Sequence, residues 1–520
     1  MNIPKLIEKG VMYWGDKTAV IDDNKKFSFR QVNERANRLA NGLLDLGYLN
    51  KKHIATLMNN RFQFIEIYFA QQKLNSVRIT LNTRLSAEEL AWQINDSEVD
   101  YLIVDAEHLE LIESIKKNLK TVKRFIAINC ESEGFMPYED ILSGSSGENP
   151  EMKSDEEDLG RIGYTTGTTG RPKGIMTPKR AEIAIMRNLL LDNIQHLNHK
   201  DVFLGLQPLY HAVWTYILPC WIKGAAQVIT HDFSPGSALN LIQREKVTIL
   251  KTVPTVLTRI FDFPGMKDFD LQSIHTIIYG ASPIPVEKLK KGIELFGHIF
   301  IQNYGQAEAP MTICTMNKED HIIDENSENT GRLSSVGRPY TMVEVRVVDD
   351  EGNDVDVGEP GEVAVKGDHM MTGYWKQPPE TSESALKDGW LLTGDIGRLD
   401  AEGYLYLVDR KKEMIITGGL NVFPNEVEQV IYRHPAVSQV AVFGIPDKDW
   451  GESITAAVAL KSGSRVGEEE LIDFCRNHLA RYKVPKKVFF HQSLPRSAAG
   501  KIMRRELREP FWKDSQRKIN

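Results

Sequence analysis

Cysteine is scarce in this chain: four in 520 residues, at Cys130, Cys220, Cys314 and Cys475, with no Cys-x-x-Cys pair. That scatter excludes a disulfide framework and suits a reducing compartment. Long hydrophobic runs are missing too. The longest, over 212–222, is interrupted by Thr215 and Pro219 and is far too short to span a bilayer. The opening Met1-Asn2-Ile3-Pro4-Lys5 lacks the charged, apolar and small-residue succession of a secretory signal, so a cytoplasmic protein without a transmembrane segment is expected. Positive charge is not in excess, with 64 Lys and Arg against 71 Asp and Glu and a net charge of -7. That balance gives no reason to expect nucleic acid, although the C-terminal end is locally basic. No His-Glu-x-x-His, Gly-x-Ser-x-Gly or zinc-ligand spacing occurs, so zinc-hydrolase and serine-esterase chemistry lack their residues.

What is present is enough chain for at least two domains, with the composition of a soluble globular protein. The first half alternates helical and strand-like patterns. Val32, Ala36, Leu39, Ala40, Leu43 and Leu44 share a helix face, residues 53–58 and 101–105 read as strands, and Ser86 with Glu89 forms a capping box. This rhythm implies parallel sheets covered by helices. A polar stretch over 143–158 reads as a surface connection. Strands are expected again at 201–206, 249–253, 274–280 and 299–304. From 336 to 408 the pattern turns β-rich, with turn signals at Asp349-Asp350-Glu351-Gly352 and Asp400-Ala401-Glu402-Gly403. Asp409-Arg410-Lys411-Lys412 then interrupts, and a last βα-type segment follows.

The chemistry concentrates in a few strings. Thr165-Thr166-Gly167-Thr168-Thr169-Gly170-Arg171-Pro172-Lys173-Gly174 follows an apolar segment and combines glycines, hydroxyls and a lysine. Converging backbone N-H groups, hydroxyl donors and the Lys173 charge make a phosphate cradle. It is not a Walker A loop, whose Lys-Ser/Thr ending is absent, nor a Rossmann fingerprint, since no two glycines of the chain lie two positions apart. Asn303-Tyr304-Gly305-Gln306-Ala307-Glu308 ends a strand, where open α/β sheets bind ligands. There Tyr304 can offer a face to adenine and Glu308 can hold Mg²⁺ against a triphosphate. Gly280-Ala281-Ser282 likewise ends a strand. Asp395, in Thr393-Gly394-Asp395, offers a carboxylate suited to two vicinal ribose hydroxyls, and Arg410 can add a second contact.

These strings, in this order and over essentially the whole chain, resemble those of the adenylate-forming superfamily of acyl-CoA synthetases, luciferases and peptide-synthetase adenylation domains. The resemblance implies an α/β fold: a large N-terminal domain of two helix-covered β-sheets plus a smaller β-barrel-like part, at 1–408. A hinge at 409–412 and a small mobile C-terminal α/β domain at 413–520 complete it. It implies ATP, Mg²⁺ and CoA as cofactors and a carboxylic acid as substrate, with an acyl-adenylate as intermediate. A homodimer is left open. By the same resemblance Gly280, Ala281 and Ser282 form an adenine-binding turn and Lys412 is the hinge. Gly418-Gly419 lines the path of the pantetheine thiol, and Lys501, in Pro495-Arg496-Ser497-Ala498-Ala499-Gly500-Lys501, bridges the attacking carboxylate and the α-phosphate. Ala307 departs from the family's threonine, so another group or water replaces that hydroxyl.

The choice among members turns on His211, in Pro208-Leu209-Tyr210-His211-Ala212. Adenylation domains carry at that place an aspartate for the substrate ammonium, so an amino acid is disfavoured. Trp450, Tyr482 and Lys486 look like CoA-nucleotide contacts of acyl- and aryl-CoA ligases. The acyl pocket is expected around His211, Val213, Trp214 and Met311, apolar and of limited depth, for a medium-chain, branched, alicyclic or aromatic acid. The competing readings are a stand-alone enzyme that passes the acyl group to a carrier protein, and a catalytically silent nucleotide-binding regulator.

Overall fold

The computed structural model describes residues 2–150, 152–164, 172–231, 233–322, 328–377, 387–418, 420–448, 450–496 and 502–512. Two large sheets carry the N-terminal part. The first runs, in order, Arg338–Pro339, Cys314–Met316, Phe300–Tyr304, Thr276–Gly280, Ile249–Thr252, Val202–Gly205, Ala226–Ile229, Thr18–Asp22 and Lys25–Ser28. The second runs Gly373–Tyr374, Gly174–Pro178, Leu159–Tyr164, Val77–Thr80, His53–Leu57, Tyr101–Asp105, Arg124–Ile128 and Met136–Pro137. Their centres are parallel, both edges of the first sheet and the Gly373–Tyr374 edge of the second are antiparallel, and the Met136–Pro137 edge is parallel, as expected when βαβ crossovers build the middle.

The helices form because the sequence supplies both a stripe and a cap. Phe29–Asp45 buries Phe29, Val32, Ala36, Leu39, Ala40 and Leu43 and is opened by a Ser28–Gln31 capping box. Ala87–Asp96 is opened by Ser86 and Glu89 in the same way. Between the sheets lies a shared helical layer. One core cluster joins Phe29 and Leu39, from Phe29–Asp45, to Ile54 and Ile103 of the second sheet and to Ile249, Ile278 and Ile301 of the first. Separate clusters cover the two outer faces. Strand alternation therefore sorts side chains: Ile79 and Ile162 join the outer cluster of the second sheet, and Arg78 and Arg161 face the shared inner layer.

The β-rich segment divides three ways. Glu344–Val348, Gly361–Lys366, Leu391–Leu399 and Leu405–Arg410 make an antiparallel four-stranded sheet, open among the described residues, so the barrel-like expectation becomes an open sheet. Arg338–Pro339 and Gly373–Tyr374 instead extend the two large sheets as edges. The last sheet strand of this part runs to Arg410, and a single turn of 3₁₀ helix, Lys411–Glu413, leads onward. The C-terminal sheet contains Leu420–Val422, Ile415–Thr417, Gly451–Leu460, Val437–Asp447 and Lys487–His491, with its own core around Val427, Val442 and Val458. Among the described residues no helix is long and apolar enough to cross a membrane.

Candidate active site

The C-terminal ends of the first sheet's parallel strands converge on one cavity of about 1710 Å³. Gly280 and Asn303 are register partners there, and a Cβ on Gly280 would lie 2.3 Å from the Asn303 carbonyl oxygen. A Cβ on Gly305 would lie 2.5 Å from the Met311 amide nitrogen, so the chain folds back on itself only because that position is glycine. Ala281 and Met311 hold left-handed backbones, φ 71° and 63°, of the kind that gathers at ligand sites. Ala281, Ser282, Asn303, Gly305, Gln306, Ala307 and Met311 line the cavity, with His211 and Trp214. Across it stand His434, Gln439 and Arg496 of the C-terminal part. The Asn303 side chain is already engaged: its amide donates to Tyr216 Oη at 2.9 Å and its oxygen accepts from Asn193 at 2.6 Å.

Tyr304, Glu308 and Asp395 are held by a second set of contacts. The buried Tyr304 hydroxyl donates to Asp395 Oδ2 at 2.6 Å, and burial first, then that carboxylate, holds the phenol well above its ordinary pKa. Asp395 stands on Leu391–Leu399 as the register partner of Arg410, whose side chain lies outside the described residues. Glu308 accepts from the Tyr374 hydroxyl at 3.1 Å, while the Lys173 ammonium sits 4.8 Å from the centre of the same ring. Tyr374 thus joins the lysine after the Thr/Gly loop to the glutamate after the strand. Sequence reasoning missed it, and the only signal is an aromatic pair, Tyr374-Trp375, after a glycine in a β-rich stretch.

Thr165, Thr166, Gly167, Thr168, Thr169, Gly170, Gly419 and Lys501 lie outside the described residues, and of Lys412 only the backbone is described. Arg496 and Ile502 form an antiparallel bridge, and Arg496 lines the cavity. Gly418, Trp450 and Lys486 do come together. The Gly418 amide donates to the Trp450 carbonyl at 2.8 Å, and a Cβ on Gly418 would meet the Trp450 ring at 2.5 Å. Lys486 lies 5.0 Å from that ring's centre and pairs with Asp447 at 3.2 Å. Trp450 and Tyr482 are both exposed, and Lys483 lies 5.5 Å from the Tyr482 ring centre. This surface presents aromatic faces beside ammonium groups, the chemistry of a phosphorylated adenine nucleotide.

The acyl side departs from expectation. Val213 turns away from the large cavity and packs on Gly205, whose added Cβ would meet it at 2.6 Å. Trp214 lines the cavity, but its indole has guanidinium groups against it, Arg78 at 4.5 Å and Arg161 at 5.3 Å from a ring centre. The expected apolar wall is therefore cationic behind its indole.

Comparison with known proteins bears on the same residues. Residues 7–375 match the family model for AMP-binding enzyme, and residues 426–501 match that for the AMP-binding enzyme C-terminal domain. A feruloyl-CoA synthase of Amycolatopsis sp. is 33% identical over 496 residues, 95% of this chain and 96% of its own. A medium/long-chain-fatty-acid–CoA ligase of Mycobacterium tuberculosis is 34% identical over 503 residues, 94% of this chain and 86% of its own. Among solved structures, an anthranilate CoA ligase in complex with anthranoyl-AMP superposes with a TM-score of 0.88 at 28% identity, covering 98% of this chain and 97% of that one.

Proposed function

The chain belongs to the AMP-binding enzyme family, and from that premise we propose that it is an ATP-dependent, AMP-forming carboxylic acid–CoA ligase. The observation that carries the reading is a cavity in which two strand-end turns, through Ala281 and Ser282 and through Asn303, Gly305, Gln306 and Ala307, meet His211 and Trp214 and face the C-terminal part. Relatives of nearly equal length with CoA-ligase names at 33% and 34% identity support it.

In this reading the nucleotide lies along the strand ends, with Gly280, Ala281, Ser282 and the Tyr304 segment against the base and Asp395 with Arg410 against the ribose. The loop 165–170 and Lys173 take the phosphates. Glu308 fits a hard dication as one carboxylate ligand, phosphate oxygens and water completing the shell. Mg²⁺ there would neutralise phosphate charge. His211, Trp214 and Met311 border the acid. Lys501 would bring a carboxylate and an anionic α-phosphate together, which positions them and relieves their repulsion. Chain rotation about Lys412 would then present the face carrying Gly418, Gly419, Trp450, Tyr482 and Lys486 to CoA.

The test is pyrophosphate release with a panel of carboxylic acids, with and without CoA. Acid-dependent pyrophosphate, and thioester only with CoA, is the expected result. Adenylate without thioester would favour a carrier-protein acceptor, and nucleotide binding without pyrophosphate would favour a silent regulator. Lys501→Ala should abolish most adenylate formation while leaving conversion of supplied acyl-adenylate largely intact.

A further inference from the structure

Three cations, Arg78, Lys179 and Arg161, lie in range of the Glu182 carboxylate; the two arginines stand against Trp214, and Lys179 is also in range of Asp158. Glu182 is buried and fully engaged, accepting from Arg78 at 2.8 Å, Gln72 at 2.8 Å and the Tyr68 hydroxyl at 3.0 Å. Lys179 is buried without a hydrogen-bond acceptor for its ammonium. Arg161 donates no hydrogen bond to any described residue and enters no ion pair, and its Nε is sealed from solvent. Arg161 is only part-buried, and of its guanidinium nitrogens only Nε is sealed, so Nη1 and Nη2 remain open to the cavity that the residue lines and an anion entering that cavity can reach them.

The geometry around Arg161 says where that anion arrives. The side chain runs along Leu159–Tyr164 toward the strand's C-terminal end, since a Cβ added to Gly163 would meet Arg161 Nη1 at 2.6 Å and its Cζ at 2.7 Å. Gly163 is thus the floor on which the guanidinium lies flat. The tip presses against the Trp214 indole, and both residues line the large cavity together with His211. Burial, then the neighbouring Arg78, lowers the Arg161 pKa to about 10, against the opposing pull of Glu182. The phosphates have their own cation in Lys173, which stands with Tyr374 and Glu308.

Resting on the ligase reading above, we propose that the acid substrate carries a second anionic group, remote from the reacting carboxylate, and that Arg161 binds it at the inner end of the acyl pocket beside Trp214. The substrate class is then a dicarboxylic acid or an equally charged aromatic or alicyclic acid, and Arg161 is a specificity-determining residue. Bidentate pairing of a guanidinium with a carboxylate in an enclosed site gives that selectivity a geometric basis.

The experiment compares kcat/KM for α,ω-dicarboxylic acids and monocarboxylic acids of equal length, in the full-length wild type, Arg161→Gln and Arg161→Lys. The expected result is a wild-type preference for the dicarboxylic acid at one length. Its ratio to the monocarboxylic acid should fall about 30-fold or more in Arg161→Gln and recover in part in Arg161→Lys. Gly163→Ala displaces the guanidinium without removing its charge and should lower the ratio in the same direction, which keeps the test valid where Arg161→Gln fails to fold. No preference for a dicarboxylic acid at any length, or an unchanged ratio in the variants, overturns the proposal while leaving the ligase reading intact. A loss confined to ATP affinity assigns Arg161 to phosphate and also overturns it. If no acid supports turnover, the ligase reading fails separately. Calorimetric titration with the dicarboxylic acids then decides Arg161: binding lost in Arg161→Gln supports the proposal, and no binding overturns it.

Discussion

Two arginines at the centre of charged clusters are matched in opposite ways. Arg504, on the C-terminal helix Arg504–Trp512, meets Glu428 through Nε and Nη2 at 3.0 and 2.8 Å, Glu413 through Nη1, and Asp409 at 3.9 Å. Burial alone would lower its pKa, yet the three carboxylates together raise it. Arg78, in the inner layer, shares one carboxylate, Glu182, with Lys179 and Arg161 nearby. One cation with three anions makes a clamp: Asp409 closes the last strand of the four-stranded sheet, Glu413 ends the 3₁₀ turn after it, and Glu428 lies in Pro424–Tyr432. Two arginines with one carboxylate between them, beside a Lys179 that leans also toward Asp158, make a receptor short of its ligand. The same residue types therefore serve cohesion in one region and recognition in the other, and the local charge count decides which.

Arg504→Met should be the most damaging change, because it strands Glu428, which also accepts from the Val442 amide at 2.8 Å, together with Glu413 and Asp409. Breaking a buried pair from one side costs about 3–5 kcal/mol, so urea unfolding of the C-terminal part should move by that amount. A loss under about 1 kcal/mol would mean that the clamp is a surface ornament. Arg78→Met should cost less, about 2 kcal/mol, since Glu182 keeps Tyr68 and Gln72 as donors and two other cations remain in range. Equal losses for the two variants would break the contrast. A smaller loss for Arg78→Met, with tighter anion binding by Arg161, would sharpen it.

The sequence carried most of the fold but little of this charge economy. Strands ending at Gly280 and Tyr304, the capping boxes at Ser28 and Ser86, and the run over 101–105 stand where alternation and caps place them, because those signals are local. The open four-stranded sheet was not legible as such, nor was the loan of Gly373–Tyr374 to the second large sheet, since both depend on pairing across long separations. Among site residues, the strand-end motifs were readable from their position. Tyr374 and Arg161 were not: each matters through a partner 66 or more residues away, Glu308 for one and Arg78 for the other. Val213 was assigned to the pocket by its neighbourhood in sequence, but in the 3₁₀ segment Ala212–Tyr216 it turns to the sheet while Trp214 turns to the cavity.

Another buried cation extends the contrast to its limit. Lys251 sits in the central strand Ile249–Thr252, between Gly205 and Ile278, and has no carboxylate partner among the described residues, only the Thr252 carbonyl at 3.3 Å. Burial lowers its pKa to about 7, against about 10.4 for a solvated lysine in the unfolded chain. Below pH 7 both states hold the proton and the folded state bears the full cost of a buried ammonium. As pH rises from 7 through 10.4 the folded chain sheds the proton and the unfolded chain keeps it, so this cost is progressively relieved. The linkage slope is at most about 1.4 kcal/mol per pH unit. Urea unfolding of wild type and Lys251→Met at pH 7, 8 and 9 checks it. The variant should be the more stable at pH 7, and its advantage should shrink toward pH 9; Lys73 and Lys179, lowered to about 8, titrate in both proteins and cancel in the difference. A constant difference across that range would show that the ammonium has a counter-charge after all, and Lys251 would then belong with Arg504 as a matched cation.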